Sequence, residues 1–264
     1  MDLKLKDKIA FVSGSTAGIG FAIAKRLLNE GTQVIINGRT KEGVDKAVDE
    51  LKSSIAHAKV SGIAADFSKA DEVNKLIKEL PDLDILINNA GIFEPKAFAE
   101  IPDEDWFRFF EINVMSGIRL SRHFFPKMLK KNWGRIIFIS SESAVFIPDE
   151  MIHYGMTKTA QIAVSRGLAE LTKGTQVTVN SILPGPTKSK GVETFIEDLS
   201  KANNISTNAV EQDFFKNMRP TSLLQRFASV EEVADTVAYF VSPLASATNG
   251  ASIRVEGGLI RSIL

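Results

Sequence analysis

Short, wholly apolar stretches alternate along this chain with longer stretches whose apolar residues recur every three or four positions. Ile9-Ala10-Phe11-Val12, closed by Gly14, reads as a buried strand. A helix follows from about Gly18, with Ile23, Leu27 and Leu28 on one side and Gly31 as its stop. Val34-Ile35-Ile36 is a second strand, residues 41–51 a second helix, and a third strand precedes Asp66. Val73, Leu76, Ile77 and Leu80 fall at i, i+3, i+4 and i+7, one face of an amphipathic helix. Residues 83–87 are strand four, and 103–131 read as one long helix bent near Asn113. Strand five (135–140), a helix rich in small and apolar residues (152–173) and strand six (177–183) come next. Ser229 and Glu232 have capping-box spacing and open a helix whose Val233, Thr236, Val237 and Phe240 share a face; 251–255 is a last strand.

Repeated strand–helix–strand units imply an α/β fold, a doubly wound parallel sheet with helices on both faces. Strands this apolar must be covered on both sides. No linker or low-complexity segment interrupts residues 1–264, so a single domain is expected. The exception to short connections is 188–228, too long for an ordinary loop and helical in pattern. Within it Val192, Phe195, Ile196 and Leu199 form one apolar face, and Val210, Phe214 and Met218 a second at i+4 steps. In an open parallel sheet ligands bind beyond the strand carboxyl ends. The segment is therefore expected to be a lid over the substrate, with Phe195 or Phe214 facing it; packing on the core or on a neighbouring subunit is the alternative.

Composition narrows the chemistry. Thirty-two basic residues balance thirty-two acidic ones, so no overall field draws the chain to nucleic acid or an anionic membrane. There is no cysteine, hence no disulfide, thiolate metal site or thiol nucleophile. His57, His123 and His153 lack zinc-ligand spacing, and no metal site is expected. The first residues form no signal-peptide core and no apolar run approaches the roughly 20 residues of a membrane helix, so a cytoplasmic protein is expected.

Two motifs carry chemistry. Ser13-Gly14-Ser15-Thr16-Ala17-Gly18-Ile19-Gly20 lies where the first strand turns into a helix, whose N-terminus offers free N–H groups to a pyrophosphate. After strand two, Asn37-Gly38-Arg39-Thr40 has no acid for a ribose 2′-hydroxyl but has Arg39 for a 2′-phosphate. Tyr154 and Lys158 stand at i and i+4, a phenol and an ammonium on one helix face. A nearby cation favours phenolate, so such a tyrosine can serve as acid or base.

With these come Asp66, Asn88-Asn89-Ala90-Gly91, Asn113, Ser140-Ser141, Pro184-Gly185-Pro186-Thr187 and the tail Thr248-Asn249-Gly250…Val255-Glu256-Gly257-Gly258. In this order over nearly its whole length, the sequence resembles the short-chain dehydrogenase/reductase family. The resemblance implies a seven-stranded Rossmann fold and interconversion of a small-molecule carbonyl and secondary alcohol by hydride transfer. It implies that Tyr154 exchanges a proton with the substrate oxygen. Lys158 lowers the Tyr154 pKa and holds the nicotinamide ribose, Ser141 bonds the same oxygen, and Asn113 holds a water in a proton relay through Lys158. Gly14, Ser15, Thr16, Gly18, Ile19, Gly20, Arg39, Asp66, Asn89, Ala90, Gly91, Pro184, Gly185 and Thr187 would contact the cofactor. NADP(H) is expected over NAD(H), chiefly from Arg39, since Ala17 stands where many NADP users carry Arg or Lys. A homotetramer or homodimer is implied. An NAD-dependent alcohol dehydrogenase, a 3-oxoacyl carrier protein reductase and a non-catalytic cofactor-binding regulator are the alternatives. The carrier-protein reading is disfavoured by Asn132 and Thr175, where such enzymes carry Arg. Ser143 competes with Ser141. Asp149, Glu150 and His153 just before Tyr154 are expected to form a polar rim of the active-site mouth, the alternative being that His153 or Glu142 touches a polar substrate.

Overall fold

The computed structural model describes residues 1–263, the side chains of Phe195 and Asn203 excepted. Strands β1 (Ile9–Val12), β2 (Gln33–Gly38), β3 (Val60–Ala64), β4 (Ile85–Asn88), β5 (Gly134–Ile139), β6 (Val177–Pro184) and β9 (Ser252–Val255) form one parallel sheet in the order β3-β2-β1-β4-β5-β6-β9. The doubly wound parallel sheet of seven strands is thus present as expected. Chain direction across the sheet reverses between β1 and β4, which opens a crevice at their carboxyl ends.

Successive strand residues point to opposite faces, so each strand feeds two cores. Val12, Ile36, Ile87 and Ile137 pack under α1 (Gly18–Asn29), α2 (Lys41–Ser54) and α9 (Val230–Phe240) through Ile23, Leu27, Val44, Leu51, Val233 and Val237. Phe11, Leu86, Ile136 and Phe138 pack on the other face against α3 (Ala70–Glu79) and α5 (Ser116–Lys131) through Leu76, Leu120 and Phe124. The capping box opening α9 is present, with Ser229 and Glu232 bonded reciprocally.

The expected long helix is α4 (Asp103–Phe110) and α5 joined by a π turn, Glu111–Met115, with Asn113 at its centre. A π turn inserts one residue and interrupts the i→i−4 ladder, which accounts for the bend. Helix α6 (Ile152–Glu170) carries Tyr154 and Lys158.

Residues 188–228 hold α7 (Lys190–Asn203), α8 (Thr207–Asp213) and a second π turn, Phe214–Met218. A two-residue pair of β7 (Thr187–Lys188) with β8 (Ala228–Ser229) closes their base. Ile196, Val210, Phe215 and Phe227 form a small core of their own, with Val192, Leu199 and Phe214 against it. The i+4 series ending in Met218 fails. The extra residue of the π turn brings Phe215 inside and leaves Met218 half exposed. Phe214, expected to face substrate, stacks on Phe227 at 5.0 Å within this core. The same expectation for Phe195 lies outside the described side chains.

Candidate active site

The residues singled out from the sequence gather along one edge of the sheet, at the carboxyl ends of β1 to β6. Their backbone reasons differ, and so do their partners.

The turn from β1 to α1 is fastened from below. Ser15 Oγ donates to the Val12 carbonyl at 2.6 Å and accepts from the Asn37 N–H at 3.0 Å. Asn37 Oδ1 accepts from the Gly14 N–H at 3.1 Å, while its Nδ2 reaches the Ile63 carbonyl at 3.1 Å. Ser13 Oγ accepts from the N–H groups of Asn89 and Ala90, both at 2.9 Å. Asn89 Nδ2 donates to the Ser13 and Gly14 carbonyls, again at 2.9 Å. Gly14 and Gly18 have φ of +60° and +59°, a left-handed conformation open to glycine. A Cβ on Gly20 would lie 2.4 Å from Asn89 Nδ2 and 2.6 Å from the Gly14 carbonyl oxygen. Ser15, Asn37 and Asn89 therefore shape the turn with their side chains, and the surface left for a ligand is backbone.

That surface fits a dinucleotide pyrophosphate. Ala17 caps α1 without a side-chain bond, and no acidic residue occupies the first turn, so its N–H groups and dipole end are free for an anion. Thr16 packs beside Gly38, and Ile19 is half-buried against the core. Arg39 is exposed at the end of β2 with no hydrogen bond or ion pair among the described residues. The half-buried Asp66 carboxyl lies below its ordinary value: burial opposes this, but bonds from Ser68 outweigh it, helped by the charges of Lys69 and, least, Arg39. At the end of β6 Pro184 is buried; beyond it Thr187 is buried, the Gly185 N–H donates to the Val255 carbonyl, and Thr187 Oγ1 donates to the Gly185 carbonyl at 2.8 Å. The Asn88 side chain faces away from the crevice, toward Ser121 on α5.

Around Tyr154 the site is buried and polar. Ser141 caps a 3₁₀ turn, Glu142–Ala144, accepting from the Ser143 N–H at 3.1 Å. The hydroxyl that meets the Tyr154 phenol is that of Ser141, which also donates to Glu142 Oε2 at 2.5 Å. Glu142 is buried; desolvation raises its carboxyl above the ordinary value, partly opposed by Ser141 and the Arg219 charge. Arg219 comes from the end of the helical segment and donates to Glu150 at 3.2 Å. His153 points elsewhere, packed at 4.1 Å from the Phe109 ring and 5.9 Å from Trp106. Of the two, Glu142 is the one beside Tyr154.

The expected lowering of the Tyr154 pKa is not found in the protein alone. Burial pushes the phenol above its ordinary value and the Glu142 carboxylate adds to that, outweighing the Ser141 bond. Burial also lowers Lys158 to about 8, against the pull of Glu142. Lys158 Nζ lies 5.6 Å from the centre of the Tyr154 ring. It donates to the Ile139 carbonyl at 3.0 Å and Gln161 Oε1 at 3.3 Å. A Cβ on Gly91 would come within 3.4 Å of it.

Asn113 is fully buried. Its Oδ1 accepts from the Ile92 N–H at 2.8 Å, and its Nδ2 donates to the Ile92 carbonyl and Thr157 Oγ1, both at 3.0 Å. Its main-chain carbonyl accepts from Gln161 Nε2 at 2.5 Å. Sequence reasoning missed Asn37 and Gln161. The available signal for Gln161 was an uncharged polar residue three positions after Lys158 on the buried stripe of α6.

A family model described as short chain dehydrogenase matches residues 8–200. An uncharacterized oxidoreductase of Bacillus subtilis, YvrD, is 53% identical over the full length of both chains. A second from that organism, YvaG, is 49% identical, again over both full lengths. Among solved structures, L-sorbose reductase from Gluconobacter frateurii complexed with NADPH and L-sorbose superimposes with a TM-score of 0.93. It is 28% identical and both chains are covered completely.

Proposed function

The chain belongs to the short-chain dehydrogenase/reductase family of oxidoreductases, and from that premise we propose that it reduces a small-molecule carbonyl to a secondary alcohol, and the reverse, with NADP(H) preferred over NAD(H). The observation that carries the reading is half-buried Tyr154 between buried Ser141 and Lys158, on the same carboxyl edge of the sheet as a turn shaped for a pyrophosphate. When bound, the nicotinamide cofactor supplies the hydride.

The chain's own residues do the rest. Tyr154, kept neutral by burial, gives its proton to the substrate oxygen during reduction. Ser141 is placed to bond that same oxygen once its hydroxyl turns from Glu142. Lys158 presents positive charge to the phenolate left behind and one N–H to a ribose. Arg39 meets the 2′-phosphate, and the absence of an acid at Gly38 removes the group that would repel it. The sorbose reductase is complexed with NADPH, which supports this preference. The 188–228 segment serves as a lid, with Arg219 reaching back to Glu150 beside the site. Identical chains assemble as a tetramer in solution, covering apolar side chains such as Phe107, three-quarters exposed on α4.

The test is a panel of carbonyls and alcohols with both cofactors, followed at the nicotinamide absorbance, for the parent and Tyr154→Phe. General acid–base contributions of about 10²–10⁴ in rate set the expected loss, with NADPH affinity unchanged. Retention of most activity in Tyr154→Phe would mean another group carries the proton. Sedimentation velocity checks the tetramer.

A further inference from the structure

Gln161 lies one turn beyond Lys158 on α6, is only 2% exposed, and touches no charged residue other than Lys158. Its amide makes two bonds of opposite sense: Oε1 accepts from the Lys158 ammonium at 3.3 Å, and Nε2 donates to the Asn113 carbonyl at 2.5 Å. Turning the amide over would set an N–H₂ against an ammonium and an oxygen against a carbonyl oxygen. The two neighbours therefore fix its orientation. A lysine ammonium has three donors, and the Ile139 carbonyl takes another of them. Lys158 is thus held on two sides, with one N–H left for the cleft.

We propose that Gln161 is a positioning residue of the active site: its side-chain amide spans Lys158 and the π-turn carbonyl of Asn113. The proposal rests on the reading of Tyr154 and Lys158 as the acid–base pair. The π turn, with Asn113 at its centre, presents this carbonyl to α6. An amide would have to become its imidic acid to pass a proton on, so the bridge holds the ammonium without itself carrying protons.

The groups that set the Lys158 charge are few. Tyr154 lies one turn before it on α6, and Glu142 approaches from the 3₁₀ turn after β5, itself influenced by Arg219. From the π turn and from β5 only uncharged backbone and amide groups arrive. An added or removed charge at Gln161 should consequently register directly on Lys158.

The test reads Lys158 in the cofactor-free protein, by NMR titration of ¹³Cε-labelled lysine assigned with Lys158→Met. Gln161→Leu removes the acceptor and should lower the Lys158 titration by about half a pH unit or more; Gln161→Glu should raise it by about one unit or more. Coincident titrations in parent and both variants overturn the proposal, whatever happens to melting temperature. A Gln161 that merely filled space would change stability without moving Lys158. If the leucine variant does not fold, the near-isosteric glutamate variant decides the matter alone. Because no turnover enters the measurement, its failure is separate from that of the acid–base reading, which Tyr154→Phe kinetics address.

Discussion

The nucleotide cradle and the 188–228 segment are fastened on opposite plans. The cradle is tied by buried hydroxyls and amides of Ser13, Ser15, Asn37 and Asn89, each bonded to backbone of another strand end. The segment has a core of four buried side chains, and its bonds to the sheet body come from its downstream end. They run from Arg219 to Glu150, Thr221 to Leu259, and the Leu223 and Leu224 N–H groups to Gly257. Buried polar knots admit one geometry, because any slip strands a desolvated donor or acceptor. A small unit with few bonds to the body is the kind of element that opens at low cost, as the proposed lid requires. A cofactor common to many substrates suits the first plan, and a varied substrate suits the second.

The comparison breaks most severely at Gly20. Gly20→Ala drives a methyl into Asn89 and the Gly14 carbonyl, and overpacking of this kind costs about 1–3 kcal/mol. Loss of measurable NADPH binding, with a lower melting temperature, is expected by fluorescence titration and calorimetry. Arg39→Ala leaves the knots alone and removes one charge-assisted contact. NADPH affinity should fall about tenfold to a hundredfold, with NADH unmoved. Equal NADH and NADPH affinities in the parent would remove Arg39 from its role.

Phe227→Ala strikes the other region. It empties the centre of the small core, where Phe227 touches Phe214 and Phe215 at 5.0 and 5.1 Å. Faster hydrogen exchange across 190–218 and a raised KM for the carbonyl are expected, with cofactor affinity within about twofold. If exchange rose equally in β1 and β2, the two regions would not be separate units.

The smallest effect lies between them, at Glu142. Its raised pKa means that the folded protein binds this proton more tightly than the unfolded chain. Its contribution to stability is therefore whole below pH 4.5 and declines as pH rises through the raised value. Glu142→Gln should gain on the parent as pH increases, by thermal melts at several pH values. Removing the charge should also let both Tyr154 and Lys158 titrate lower, moving the alkaline limb of activity down.

What was legible in the sequence follows from periodicity and local chemistry. Tyr154 and Lys158 share a helix face by spacing alone, and a bend near Asn113 was expected in the long helix over 103–131. Asn37 was not legible, because it works through backbone atoms of elements far away in the chain, and for Gln161 only the nearness to Lys158 could be read, not the distant Asn113 carbonyl. Residue type gives an amide's bonding capacity but not the carbonyl it will find. The exchange of Met218 for Phe215 was hidden by the π turn, since i+4 counting assumes an uninterrupted ladder.

The knotted turn has a thermodynamic consequence. A loop already held in the shape its ligand requires loses little conformational entropy on binding, and the ordering penalty is confined to whatever part still moves. In calorimetry, NADPH association with this protein should therefore carry a small unfavourable entropy of loop ordering. The larger ordering entropy should appear in the second binding event, when a carbonyl substrate meets the helical segment.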